Sequence, residues 1–202
     1  MWLGRTLIKL LGPLVRLVMR VKVVGVENFP SESTPLILCS NHISNWDPVL
    51  LITAKPHRHI YFMAKSELFC NRLFSWFLGK QLGAFPVHRG TGDTGALDTA
   101  ETLVKEGKIL GIFPEGTRSK TGKLLRPKSG VAFIAAKTGA AVLPTAIVTR
   151  HQRMRLFQRT TIVYGKPLSA EELHLNDSEH PDVRFATRRI MEAISQQIED
   201  YE

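Results

Sequence analysis

One histidine stands in a setting suited to proton transfer: Asn41-His42-Ile43-Ser44-Asn45-Trp46-Asp47-Pro48, directly after the apolar run Leu36–Ser40. Imidazole is the side chain best matched to taking and returning a proton near neutral pH. A carboxylate on its other ring nitrogen would hold the tautomer and stabilise the imidazolium, and Asp47 is the candidate for that place. Five residues along a regular helix is about 140° of rotation, so the two would not share a face. The pair therefore needs a strand–loop–helix setting in which the loop folds His42 back over Asp47. Asp47-Pro48 suits such a setting, as an N-cap followed by proline at the first helical position. The same fit gives Asp47 a purely structural reading, as a cap, and residue types alone leave both readings open.

A second chemical stretch is Phe113-Pro114-Glu115-Gly116-Thr117-Arg118-Ser119, at the end of the run Ile109–Phe113. In such a turn, backbone N–H groups, a threonine hydroxyl and a guanidinium can converge on an anion. Basic residues continue at Lys120, Lys123, Arg126 and Lys128, and Lys128-Ser129-Gly130 opens a helix whose amino end favours a phosphate. Lys120 and Lys123 read as a solvated loop, whereas Arg118 reads as an anion ligand. A third stretch, Gly83 to Arg89, delivers Arg89 to the end of a strand and says little by itself.

The elements that must position these groups alternate. Apolar runs predict strands at Val21–Val26, Leu36–Ser40, His59–Met63, Gly83–His88, Ile109–Phe113, Ala141–Val148 and Thr160–Tyr164. Helices are predicted at Pro48–Ala54, Glu67–Leu78, Thr94–Glu106, Ser129–Thr138 and from Asp182 to Tyr201, with Ser169–Pro181 a polar surface connection. Alternation of this kind implies an α/β fold: a mixed, largely parallel sheet flanked by helices. Ligands of such sheets gather at loops beyond the strand carboxyl ends, where the candidate motifs lie. Core packing is the expectation for most of the aromatic-rich helix 67–78, with acyl-chain contact as its alternative. Cys39 and Cys70 sit in apolar stretches without metal-ligand spacing, reading as reduced buried thiols of a cytoplasmic protein.

With 202 residues the chain suits one full core, and 44% hydrophobic with 22% charged residues is a globular composition. Lys and Arg outnumber Asp and Glu by 27 to 18, so the partner is anionic: nucleic acid, lipid or a phosphorylated substrate. Residues 1–26 carry Arg5, Lys9, Arg16, Arg20 and Lys22 and no acid before position 27. Charges interrupt the segment too often for a spanning helix, which needs about 20 mostly apolar residues, and stand where a signal peptide would be cleaved. On a helical wheel Arg5, Lys9, Arg16 and Arg20 fall within about 60° of one another, opposite Leu3, Leu7, Leu10, Leu11, Leu14, Leu17 and Val18. That pattern describes an interfacial helix on an anionic membrane surface, kinked or split at Pro13. The predicted organisation is a membrane-binding segment over 1–20 and one domain over 21–202.

Asn-His-x4-Asp at 41–47, Phe-Pro-Val-x-Arg at 85–89, Phe-Pro-Glu-Gly-Thr-Arg-Ser at 113–119 and Val-Leu-Pro at 142–144 occur in that order. Together they resemble the four blocks of the glycerolipid acyltransferase family, in the form carried by bacterial 1-acyl-glycerol-3-phosphate acyltransferases. The resemblance covers roughly residues 20–168. It implies His42 as general base with Asp47 as partner, and Arg89 with Glu115, Gly116, Thr117 and Arg118 at the acceptor's phosphate and glycerol. Lys128 matches a basic position ahead of the next helix, and Pro144 a structural or acyl-facing one. The implied donor is acyl-CoA or acyl carrier protein and the implied acceptor lysophosphatidic acid, with glycerol 3-phosphate or another lysolipid as alternatives. No cofactor or metal is expected, and the place of work is the cytoplasmic face of the cell membrane, peripherally bound.

Rival readings account for fewer residues. Gly90-Thr91-Gly92-Asp93-Thr94-Gly95 matches a dinucleotide fingerprint, with Glu115 20 residues beyond Gly95, but it leaves the His42 block unexplained. Arg150, Arg153, Arg155 and Arg159 form a basic run without a nucleic-acid motif, so a solvated or lipid-facing surface is expected there. His57-x-His59 lacks further metal ligands nearby.

Overall fold

Near-continuous apolar runs make strands covered on both faces, and β2 (Leu36–Ser40) and β5 (Ile109–Ile112) are buried at every position. The computed structural model describes residues 2–30, 34–54, 58–88, 93–177 and 180–202. These strands join β1 (Val21–Val24), β3 (Ile60–Lys65), β4 (Ala84–Val87), β6 (Ala141–Thr149) and β7 (Thr160–Tyr164) in one sheet ordered β1-β7-β6-β2-β5-β3-β4. Every pairing is parallel except β6 with β7.

Alternate side chains of each strand serve opposite layers. Ile37, Cys39, Leu110, Ile112 and Val142 pack under α4 (Thr94–Lys105), α5 (Gly130–Thr138) and α6 (Val183–Tyr201). Leu36, Leu38, Ile109, Leu143 and Ile147 meet α2 (Asp47–Ala54) and Met19 on the other face. Asp93 caps α4 by accepting from Ala96 N–H, Asp182 caps α6 by accepting from Phe185 N–H, and Gly139 ends α5 at φ 64°.

Register places the site. Leu36 pairs with Ile109 on one side and Ala141 on the other, so β6, β2 and β5 start side by side and run in the same direction. Ser40 is opposite Thr145, and β6 runs on to Thr149, past the end of β2. The loop carrying His42 is thus flanked by the turn after β5 and the segment after β6.

All seven predicted strands are present, with ends shifted by up to two residues. The segment before β1 is one helix, α1 (Trp2–Val18), with Pro13 inside it and no split. It lies against α2 through Gly12, which faces Thr53, and through Val15. Leu10, Leu11, Leu14 and Leu17 remain exposed. The predicted helix 67–78 is three pieces instead: a 3-10 turn (Ser66–Phe69), α3 (Arg72–Trp76) and a π turn (Phe77–Gln81). Asn71 marks the break, because its side chain accepts from Leu73 N–H and restarts the helix. Core packing does not hold there for Leu68, Leu73 and Trp76, which are exposed. Cys70 is exposed as well, while Cys39 is buried and its thiol pKa is pushed far up by burial. The connection 169–181 is more than surface, since Leu173 and Leu175 plug the core beside α6.

Candidate active site

The backbone leaving β2 is anchored before it reaches His42. Asn41 is buried, and its amide replaces a strand residue: Nδ2 donates to Ile147 O at 3.0 Å while Oδ1 accepts from Ile147 N–H at 2.8 Å. With the last residues of β6 satisfied in this way, the chain turns sharply and folds back over the start of α2.

That turn brings His42 Nδ1 to 2.7 Å from Asp47 Oδ2. The same oxygen accepts the N–H groups of Ile43 and Ser44, each at 2.7 Å. The carboxylate therefore binds the loop before it, not the first turn of α2 after it, the geometry of a ring partner and not of an N-cap. Asp47 is fully buried, and among the described residues its Oδ1 has no hydrogen-bond partner. With Nδ1–H donated to a buried carboxylate, Nε2 is left as the basic nitrogen. The imidazole stacks on Phe113, with centroids 4.1 Å apart and planes within 17°, and Phe113 stacks in turn on Phe62.

The turn after β5 holds the loop from the other side. Glu115 Oε1 accepts His42 N–H and Oε2 accepts Leu125 N–H, both at 2.9 Å, and Ser119 N–H donates to His42 O at 2.8 Å. Burial raises the Glu115 carboxyl above its ordinary range; the two N–H groups and His42 oppose the rise, and the Asp47 charge adds to it. Gly116 turns at φ 67°, and the Lys128 side chain lies against it where a Cβ would come within 3.1 Å of Cε.

Two clefts open at this edge. One, of about 370 Å³, runs from His42 and Phe113 between α4 and α5, past Met63, Leu97, Val131 and Ile134, with Lys128 at its wall. Its size and apolar walls are those of a small-molecule site. The other, of about 440 Å³, lies between Ile43–Ser44, the turn Thr117–Lys120 and the segment Gln152–Arg155. Arg118 and Thr117 line this second cleft, not the first.

An acyltransferase family model matches residues 20–148, more than half of the chain. The chain belongs to the acyltransferase family. It is 34% identical over 184 residues to the 1-acyl-sn-glycerol-3-phosphate acyltransferase of Bacillus subtilis, covering 90% of this chain and 88% of that protein. The Streptococcus pneumoniae protein of the same name is 29% identical over 76% of this chain and 58% of its own length. A chloroplast relative from Arabidopsis thaliana matches over 64% of this chain and 36% of its own. The crystal structure of the 1-acyl-sn-glycerophosphate acyltransferase of Thermotoga maritima superposes with a TM-score of 0.75 at 25% identity, covering 98% of this chain and 80% of that one.

In this acyltransferase the expected site residues divide into three groups. His42, Asp47 and Glu115 form one hydrogen-bonded unit, while Gly116 and Lys128 flank the apolar cleft beside it. Thr117 and Arg118 face the basic cleft. Arg89 lies outside the described residues, as do Gly90 to Gly92 of the dinucleotide-like stretch and His57. Three contributors went unassigned at the level of sequence. Asn41 seats the loop, and an amide just past a strand end is its signal. Phe113 supports the imidazole, for which its place one residue past β5 is a weak sign. Gln152 lies at the basic cleft and carries no local sign at all.

Proposed function

We infer that the chain is a 1-acyl-sn-glycerol-3-phosphate acyltransferase that moves a fatty acyl group from a thioester directly onto the free hydroxyl of lysophosphatidic acid, forming phosphatidic acid. The observation that carries this reading is the buried His42–Asp47 contact at 2.7 Å, opening on an apolar cleft. His42 Nε2 takes the hydroxyl proton as the oxygen attacks the thioester carbonyl. The tetrahedral intermediate collapses by breaking the carbon–sulfur bond, and the imidazolium returns its proton to the departing thiolate. Asp47 steadies the imidazolium through the intermediate.

Arg118 and Arg89 are assigned to the acceptor phosphate, Thr117 and Lys128 to the groups around it, and the apolar cleft to a fatty acyl chain. Positioning both substrates can lower the barrier by about 7–11 kcal/mol, more than base catalysis alone supplies. Glu115 is assigned to positioning, since both of its oxygens already hold backbone N–H groups. Acyl-CoA and acyl carrier protein are both assigned as candidate donors.

Residues 1–20 are assigned to the surface of an anionic membrane. Four exposed leucines on α1 and the basic residues Lys9, Arg16 and Arg20 support this. Among the described residues no helix is long and apolar enough to cross a membrane.

The test is a matrix of donors (acyl-CoA, acyl carrier protein thioester) against acceptors (lysophosphatidic acid, glycerol 3-phosphate, lysophosphatidylcholine) with purified protein and vesicles. Phosphatidic acid as the main product supports the reading. Turnover of glycerol 3-phosphate or lysophosphatidylcholine in preference to lysophosphatidic acid contradicts it.

A further inference from the structure

The basic cleft has a wall that the family blocks do not supply. Arg118 and Lys120 come from the turn after β5, while Arg153 and Arg155 come from the segment joining β6 to β7. Among the described residues that line the cleft, four are basic and none is acidic. Like charges are gathered this way where an anion is to be held.

Gln152 is the second, independent sign. It is 9% exposed, lines the cleft, and neither its Nε2 nor its Oε1 has a hydrogen-bond partner among the described residues. A buried amide without partners is unfavourable, and a polar ligand in the cleft would satisfy it. Its place is fixed by the opposite wall, since Gly122 (φ 85°) lies so close that a Cβ there would come within 2.4 Å of Gln152 Cβ. The two walls are therefore packed on each other.

The segment is also tied to the carboxyl end of α1, the helix with the exposed leucines. Phe157 N–H donates to Val18 O at 2.9 Å, and Leu156 and Phe157 are exposed, as Leu17 is. A cleft so placed opens where the head group of a bilayer-resident molecule would lie.

We propose that Arg153 and Arg155, with the Gln152 amide, form the second half of the acceptor-phosphate site and close on the phosphomonoester of a lysolipid opposite Arg118. A phosphomonoester carries nearly two negative charges at neutral pH, and guanidinium pairs suit its oxygens. The amide nitrogen adds a neutral donor to a phosphate oxygen, and the amide oxygen an acceptor for a guanidinium N–H. This inference rests on the reading that Arg118 meets the acceptor phosphate.

The experiment compares the Arg153→Ala/Arg155→Ala variant with wild type and Arg118→Ala. Rates are measured with long-chain lysophosphatidic acid in phosphatidylcholine vesicles and with a short-chain, monomeric lysophosphatidic acid in solution. Inorganic phosphate is added as a competing inhibitor. The expected result is a rise in acceptor KM of on the order of tenfold or more with both acceptors. Donor KM and melting temperature stay unchanged, inhibition by phosphate weakens, and Arg153→Lys/Arg155→Lys recovers part of the loss. An effect confined to the vesicle assay would show the arginines serving the bilayer surface, and would overturn the proposal. If Arg118→Ala raises the acceptor KM and the double variant does not, the loop has no part in the site while the reading of Arg118 stands. If neither variant changes it, both fail.

Discussion

Replacing Asp47 by asparagine separates a catalytic partner from a helix cap. Asparagine caps helices as well as aspartate does, so a capping role predicts near-normal activity. The structure predicts otherwise. One carboxylate oxygen receives three donors at 2.7 Å, one of them the His42 ring. An asparagine can keep its oxygen there only by placing Nδ2 where Oδ1 lies buried without a partner, at a cost of about 1–3 kcal/mol of stability. For a protein of this size that is a lowering of Tm by a few to about 10 °C.

The larger effect is on the reaction. In the proposed reaction, an imidazolium forms beside the carboxylate as the proton moves to His42. Two unit charges about 4 Å apart at an effective dielectric of about 20 attract by about 4 kcal/mol, worth on the order of a thousandfold in rate. The expected outcome is a kcat for Asp47→Asn lowered by roughly 10²–10⁴, with acceptor KM changed little because the charge is needed mainly in the transition state. The assay is thiol release from acyl-CoA with saturating lysophosphatidic acid in vesicles, at a temperature where both proteins are folded. A kcat within threefold of wild type would refute the reasoning and return Asp47 to structure.

Glu115→Gln should lower kcat, since an amide offers one acceptor where His42 and Leu125 N–H need two. The raised Glu115 pKa also has a signed consequence: its contribution to stability is complete below the ordinary carboxylate pKa and is lost as pH rises through the elevated folded value. Melting curves across the acid-to-neutral range should therefore show wild type losing stability relative to Glu115→Gln with rising pH, and a relative gain would contradict the assignment. Leu14→Glu/Leu17→Glu alters two exposed positions of α1 and should leave the melting temperature intact. Burial of each leucine in lipid is worth up to about 1.5–3 kcal/mol, so vesicle partitioning should fall at least tenfold in a flotation assay; equal partitioning would remove α1 from the membrane.

The strands were legible because parallel strands covered on both faces need apolar runs bounded by turn residues, as at Leu36–Ser40 and Ile109–Ile112. The His42–Asp47 pair was legible through the resemblance of the four blocks, and through the requirement that a loop, not a helix, separate the two. Other features depend on partners far along the chain. Glu115 looks like a ligand in its motif, yet its oxygens hold the backbone of His42, 73 residues away, and of Leu125. Gln152 looks like one polar residue in a basic run, and only the approach of Gly122 and Arg118 makes it part of a cleft. The break at Asn71 was hidden by a strong apolar pattern, because the periodicity of Leu68, Leu73 and Phe77 does not register a side chain that bonds its own backbone.

The central claim is that the His42 imidazole carries the proton. The most direct test is single-turnover formation of phosphatidic acid from acyl-CoA and lysophosphatidic acid in vesicles, by wild type and by His42→Ala. Rapid product is expected with wild type and, from the variant, a rate at least a thousandfold lower with an unaltered fold. A folded His42→Ala protein that turns over within tenfold of wild type would contradict it.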